Sequence, residues 1–356
     1  MMSQARFFSS DSAKDTPKDI PVVDESKKPA ELPIFLVDFT SSKLAFYGYS
    51  SDLDSCHLLA TNADEKSQTP VICRSYQRNR PYRDQLYKKD VEVEQRIGHH
   101  PNLLRFMGIV EQWGSIIVYE NGGTAGNLHD MLFNIAPDPE SQHPFSSRAR
   151  WAEDAISAVA HIHNLGLVHG EITPANIVFD RASDTHVHLK IANMLSARFD
   201  SEYIAEESRH RCDPFRRPPD TTRWLPPETL SLKEVADEGY YKRKDIWQLG
   251  ILIAELMLFK LPYSACAYTV QVVRVITKEP PFTRQELQNA VGPKFANFIL
   301  QCCELNPEKR PTMKKIVDEL WPEVLPELKE KVKSSETPAH HVGEPIVETP
   351  VSRLGM

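Results

Sequence analysis

The chain has 356 residues, 41% of them hydrophobic and 26% charged, ordinary proportions for a globular protein and far from the disordered or fibrous classes. Its length suits one large two-lobed domain or two smaller ones. A formal net charge of -7 and a pI near 6.0 argue against a nucleic-acid or anionic-membrane partner, which would call for a concentrated basic surface.

Taken in chain order, residues 1–30 are rich in Ser, Asp, Lys and Pro and poor in aliphatics, the composition of a disordered tail. Arg6, Phe7 and Phe8 faintly resemble a mitochondrial presequence, but Asp11, Asp15 and Asp19 follow at once, and no secretory signal core is present. From Phe35 to Glu120 the chain reads as short strands interrupted by a helix. Val71 to Tyr76 and Ser115 to Tyr119 are β-branched strand signals, and Tyr82 to Ile97 carries Leu86, Val91, Val93 and Ile97 as a helical apolar stripe. Asn121 to Asn127 form a turn-rich hinge. Beyond it Trp151 to Leu165 has helical periodicity, and Ile246 to Phe259 is apolar nearly all round, which predicts a core helix. Residues 329–356, with Glu, Lys, Ser, Pro and the pair His340 and His341, read as a second disordered tail. No run approaches the roughly 18 apolar residues of a membrane span.

The six cysteines, Cys56, Cys73, Cys212, Cys266, Cys302 and Cys303, lack both paired spacing and disulfide-scaffold density. Reduced thiols and a cytoplasmic location are expected, with Cys302 and Cys303 packed in a core. His161 with His163 and His186 with His188 have a spacing that could chelate metal on a strand, but no Cys or acid set completes a site. Solvated or capping histidines are expected, and no metal.

The run His169-Gly170-Glu171-Ile172-Thr173-Pro174-Ala175-Asn176 resembles the H-R-D-L-K-P-x-N catalytic loop of protein kinases. Leu189 to Arg198 stands at the distance of the D-F-G element, with Asn193 in the place of Asp. Trp224-Leu225-Pro226-Pro227-Glu228 resembles the A-P-E end of the activation segment. Lys244-Asp245-Ile246-Trp247 to Gly250 resembles the D-x-W-S-x-G start of the central helix, and Cys303 to Thr312 resembles the segment whose Arg pairs with the A-P-E Glu. These fragments occur in kinase order over most of the chain, about Phe35 to Leu328.

The resemblance implies an α+β, bilobal protein-kinase-like fold over residues 31–328, with a small β-rich N-lobe at about 31–120 and a larger α-helical C-lobe at about 121–328. It also implies structural roles for Glu228, Asp245 and Arg310: Asp245 anchors the catalytic loop, and Glu228 with Arg310 forms a buried ion pair.

The catalytic positions depart from the pattern. Glu171 replaces the Asp that receives the substrate proton, Thr173 the phosphate-steadying Lys, and Asn193 the magnesium-gripping Asp, while Asn176 is retained. Val71-Ile72-Cys73-Arg74 stands for V-A-I-K, putting a wider planar fork, Arg74, where Lys should be. For its helical partner the register favours Asp90, with Glu92 and Glu94 as second choices; three acids on a solvated face is the rival reading. The lid, Phe46 to Asp52, offers one glycine, and Asp52 and Asp54 would repel phosphate, so a plain hairpin is expected. Gly170 removes the Arg that receives an activation-loop phosphate. Arg209, Arg211, Arg216, Arg217 and Arg223 could attract an acidic partner, though a solvated basic loop is favoured.

These departures match a pseudokinase, a protein-binding regulatory or scaffold module for which no cofactor and no confident catalytic residue are expected. The rival is an atypical Ser/Thr kinase with weak phosphotransfer using Glu171 as base. Between them lies ATP binding without magnesium, with Arg74, Asp90, Tyr119, Glu120, Gly122, Asn176 and Asn193 as nucleotide contacts and Tyr119 narrowing the back of the pocket. The general pattern is also similar to that of pseudokinase regulators of calcium-activated potassium channels, which implies an ion-channel partner and a phosphoserine-reading adaptor.

Overall fold

The computed structural model describes residues 37–44, 55–62, 70–76, 81–110, 115–122, 126–133, 142–183, 186–194, 197–199, 219–230 and 239–336. The hairpin expected at Phe46 to Asp52, the arginines Arg209, Arg211, Arg216 and Arg217, and residues 1–30 lie outside them.

The first lobe is an antiparallel sheet of β1 (Val37–Leu44), β2 (Ser55–Asn62), β3 (Pro70–Tyr76), β4 (Phe106–Val110) and β5 (Ile116–Glu120), in the order β1-β2-β3-β5-β4. Helix α1 (Pro81–Ile97) packs on one face. The two-residue alternation of β3 sorts its side chains: Val71 and Cys73 join Val110, Ile116 and Val118 in one cluster, whereas Ile72 and Tyr76 join Val91, Leu104, Ile117 and Tyr119 in another. Arg74 shares the parity of Ile72 and Tyr76, so it is carried to the side of α1. β3 pairs with β5 so that Arg74 lies opposite Ile117 and Ile72 opposite Tyr119.

The second lobe is mainly helical. It contains α2 (Leu128–Phe133), α3 (Phe145–Asn164), α4 (Tyr240–Leu258), α5 (Thr269–Val275), α6 (Arg284–Val291), α7 (Pro293–Cys302) and α8 (Trp321–Glu336). The β6 (Leu167–Val168), β7 (Ile177–Ser183), β8 (His186–Ile191) and β9 (Arg198–Phe199) strands form two small antiparallel pairs, β6 with β9 and β7 with β8. This is the small β-rich part and larger helical part that the sequence resemblance implied.

Helix α4 is buried from Tyr240 to Met257 almost without interruption and forms the axis of the core, with α3 and α7 against it. Gly250 explains how α7 comes so close: a Cβ there would stand 2.7 Å from Cys302 Cβ and 2.8 Å from Cys303 Sγ. Both cysteines are buried, and burial raises the Cys303 thiol to about 12.

Three expectations are corrected. Helix α8 continues to Glu336 and buries Val332, so order extends past Leu328, where composition placed the start of a tail. Arg223 is not solvated: its guanidinium donates to the carbonyls of Pro262, Tyr263 and Cys266 at 3.0, 2.9 and 2.6 Å. His163, on α3, is buried and neither solvated nor capping, whereas half-buried His161 on the same helix meets the last carbonyl of α1, a capping contact as expected. The His161 ring stacks on His100 at 4.7 Å and its Nε2 meets Ile97 O at 2.9 Å, while His163 Nε2 lies 3.0 Å from Asp245 Oδ2.

Candidate functional site

The loop from Val168 to Ile177 is shaped by one buried carboxylate. Asp245, on α4, accepts the backbone N–H groups of His169 at 2.7 Å and Gly170 at 2.8 Å together with His163 Nε2. Burial alone would raise its pKa, but the hydrogen bond from His163 and the neighbouring histidines outweigh it and hold the carboxyl below the usual range. One turn on, Gln248 Oε1 accepts Ile172 N–H at 3.0 Å. Gly170 adopts φ +80, which glycine does without Cβ strain.

Inside the loop, His169 Nδ1 accepts Glu171 N–H at 3.2 Å and its Nε2 lies 3.2 Å from Ala192 O. Those partners select the neutral tautomer with hydrogen on Nε2, consistent with a pKa lowered chiefly by burial. Asn176 Nδ2 donates to Glu171 O at 2.8 Å, and Ala192 N–H donates to Asn176 O at 2.8 Å. Asn193 follows with φ +65, a left-handed conformation that Asn tolerates. Its Nδ2 donates to Asn176 Oδ1 at 3.1 Å. A single bond therefore joins the two amides, and Asn193 Oδ1 is buried with no hydrogen-bond partner among the described residues. Thr173 is buried beside them, at the entry to the 3-10 turn Pro174–Asn176.

On the sheet side, Arg74 is 1% exposed. Its Nη2 lies 3.9 Å from Asp90 Oδ2, and its guanidinium sits 4.9 Å over the Tyr76 ring. Tyr76 donates its hydroxyl to Asp90 at 2.5 Å, and Tyr119 donates to Glu94 Oε1 at 2.7 Å. Burial pushes Glu94 up to about 8, partly offset by the Tyr119 hydrogen bond, so the side chain is a neutral acid at pH 7. Glu92 alone among the three candidate acids is exposed. The reading of three acids on a solvated face is thus overturned: two of them are buried in a polar network with Arg74, Tyr76 and Tyr119.

At the end of β5, Gly122 N–H donates to Glu120 O at 3.1 Å, while the Glu120 carboxylate accepts Arg105 N–H at 3.0 Å and Lys190 Nζ at 2.6 Å. Away from this region, Arg310 grips Glu228 through two parallel bonds of 2.6 and 2.7 Å and stacks over Trp247 at 4.9 Å.

The family pattern described as protein kinase domain matches residues 59–322 of this chain. The chain belongs to the protein kinase family. It is 25% identical over 223 residues to a putative serine/threonine-protein kinase/receptor, R831, of Acanthamoeba polyphaga mimivirus, covering 62% of this chain and 12% of that protein. It is 24% identical over 219 residues to mitogen-activated protein kinase kinase kinase 9 of Arabidopsis thaliana, covering 62% and 25%. A calcium/calmodulin-dependent protein kinase, cmkB, of Emericella nidulans is 24% identical over 241 residues, covering 67% and 55%. The chain thus matches only part of each relative's length.

Of the residues the sequence put forward, Arg74, Asp90 and Tyr119 gather on the sheet side, Glu120 and Gly122 follow at the end of β5, and Glu171, Thr173, Asn176 and Asn193 lie on the helical side. The two sides are held by separate networks. Sequence reasoning missed several supports: His163 on Asp245, Gln248 on Ile172, Tyr119 on Glu94, and Glu255, which accepts Trp224 Nε1–H at 2.8 Å. Glu255 had a legible sign, a lone acid within an apolar helical run; the rest are pairings between distant positions. Among the described residues no three His, Cys, Asp or Glu side chains converge as a metal site, and no helix is long and apolar enough to cross a membrane.

Proposed function

We propose that this kinase domain is a pseudokinase, a protein-binding regulatory module rather than a phosphotransferase. The observation that supports this most is the Asn193–Asn176 amide pair. Phosphoryl transfer relies on magnesium held by an acidic ligand at the first of these positions. Here the position is neutral and its donor is engaged by the neighbouring amide. At the hinge, the Gly122 N–H and Glu120 carbonyl bond to each other, which leaves less main-chain hydrogen bonding for an adenine.

Thermal unfolding with ATP, with and without magnesium, tests the reading. Pure protein should show no magnesium-dependent rise in Tm, and a rise of several degrees would overturn it. The ion-channel partner and phosphoserine-binding adaptor that the sequence resemblance implies belong to this reading. Pull-down with the full chain and mass spectrometry should return a channel subunit and such an adaptor, and recovery of neither would remove that part.

One observation favours a second reading. Arg74 Nε and Nη2 have no hydrogen-bond partner among the described residues, and together with half-buried Glu171 they would suit a kinase that grips phosphate through Arg74 and uses Glu171 as base. That enzyme should transfer labelled phosphate and lose the activity on Glu171→Gln. Stabilisation by ATP equal in EDTA and in magnesium would instead indicate metal-free nucleotide binding.

A further inference from the structure

Behind the hinge, three charged side chains from two lobes meet. Lys190, on β8, places Nζ 2.6 Å from Glu120 Oε1 and 3.1 Å from Asp180 Oδ2. Glu120 ends β5 and begins the covalent crossing between lobes, whereas Asp180 and Lys190 belong to the β7–β8 hairpin of the C-lobe. The Lys190 side chain is 11% exposed and those of Asp180 and Glu120 are 15% and 26% exposed. Solvent therefore screens this group less than an ordinary surface pair.

The surroundings fix both ends. Glu120 exchanges hydrogen bonds with Arg105 through its backbone N–H and its carboxylate, each at 3.0 Å. The chain just before Arg105 is stitched to β8 by Leu104 N–H to Ile191 O and Ile191 N–H to Asn102 O, both 2.9 Å, and by Asn102 Nδ2 to Leu189 O at 3.2 Å. Gly122 leaves room for the arrangement: a Cβ there would stand 2.5 Å from Leu104 Cδ1 and 3.6 Å from Lys190 Cδ. Opening the lobes about the hinge would draw Glu120 away from Lys190 and leave a mostly buried ammonium with one carboxylate fewer.

We propose that Glu120, Lys190 and Asp180 form an interlobe latch that restrains hinge opening in this chain. The latch goes beyond the pseudokinase reading and stands whether or not the cleft takes nucleotide.

Hydrogen–deuterium exchange of the full chain tests it, followed in peptides covering residues 116–122 and 186–194, for Glu120→Gln, Lys190→Met and the double variant. Glu120→Gln should speed exchange of the hinge amides about threefold to fivefold, and the double variant should be no faster than Lys190→Met. Hinge exchange unchanged by Glu120→Gln, or single effects that add fully in the double, would overturn the latch. Should Lys190→Met fail to fold, salt replaces it. Hinge exchange in the unmodified chain should rise from low to high salt while Glu120→Gln stays insensitive, and an equal salt response in both would overturn the proposal.

Discussion

Asn193 Nδ2 donates to Asn176 Oδ1 across 3.1 Å, an amide pair in the place where a kinase gathers acidic and amide ligands around magnesium. The pair is buried and links the loop after β8 to the loop before β7.

Replacing Asn193 by Asp tests what that pair has displaced. A carboxylate beside Asn176 Oδ1 loses the donated hydrogen bond, so Asn193→Asp should be destabilised without ligand by about 1–3 kcal/mol, read from urea unfolding. With ATP and magnesium it should regain stability that the unmodified chain does not. Identical responses to magnesium and ATP in the two proteins would show that the position does not decide metal binding.

The Arg310–Glu228 pair makes a prediction about folding alone. Both side chains are buried, at 0% and 7% exposure, and bonded in parallel. Glu228→Gln leaves Arg310 charged beneath the surface, which should cost about 3–5 kcal/mol of unfolding free energy. Denaturant midpoints would check it, and a loss below about 1 kcal/mol would place the pair with ordinary surface bridges.

Glu94 gives stability a pH dependence. Burial holds it at about 8 against 4.5 for a free glutamate, so the folded state keeps a proton that the unfolded chain releases between those values. The contribution is complete below the lower value and declines as pH rises through the higher one, with a slope of up to about 1.4 kcal/mol per pH unit. Glu94→Gln mimics the neutral acid and keeps an acceptor for Tyr119. Its stability should be flatter by about one proton over that window and exceed that of the unmodified chain near its upper end; parallel curves would contradict the assignment.

Gly250→Ala should cost about 1–3 kcal/mol by overpacking, because the new methyl meets Cys302 Cβ and Cys303 Sγ within 2.8 Å. Removing the sulfur in Gly250→Ala with Cys303→Ala should recover part of the loss. Full additivity of the two substitutions would show that α4 and α7 separate instead.

What the sequence by itself determined were the features written in local order. The strand of Val71 to Tyr76, the helix ending at Ile97 and the apolar run of α4 follow from local residue pattern, and the roles expected of Asp245, Glu228 and Arg310 are what the kinase resemblance implies. Each depends on residues near one another in the chain or at a fixed family distance. The tertiary structure alone decided which partners the polar groups take. Asp90 and Glu94 lie one helical turn apart, yet one faces Arg74 and Tyr76 and the other the Tyr119 hydroxyl. Lys190 and Glu120 stand 70 positions apart in the chain and meet only in the fold, at 2.6 Å. A buried charge must find its compensation wherever packing delivers it, and that location is a property of the assembled lobes rather than of any stretch of chain.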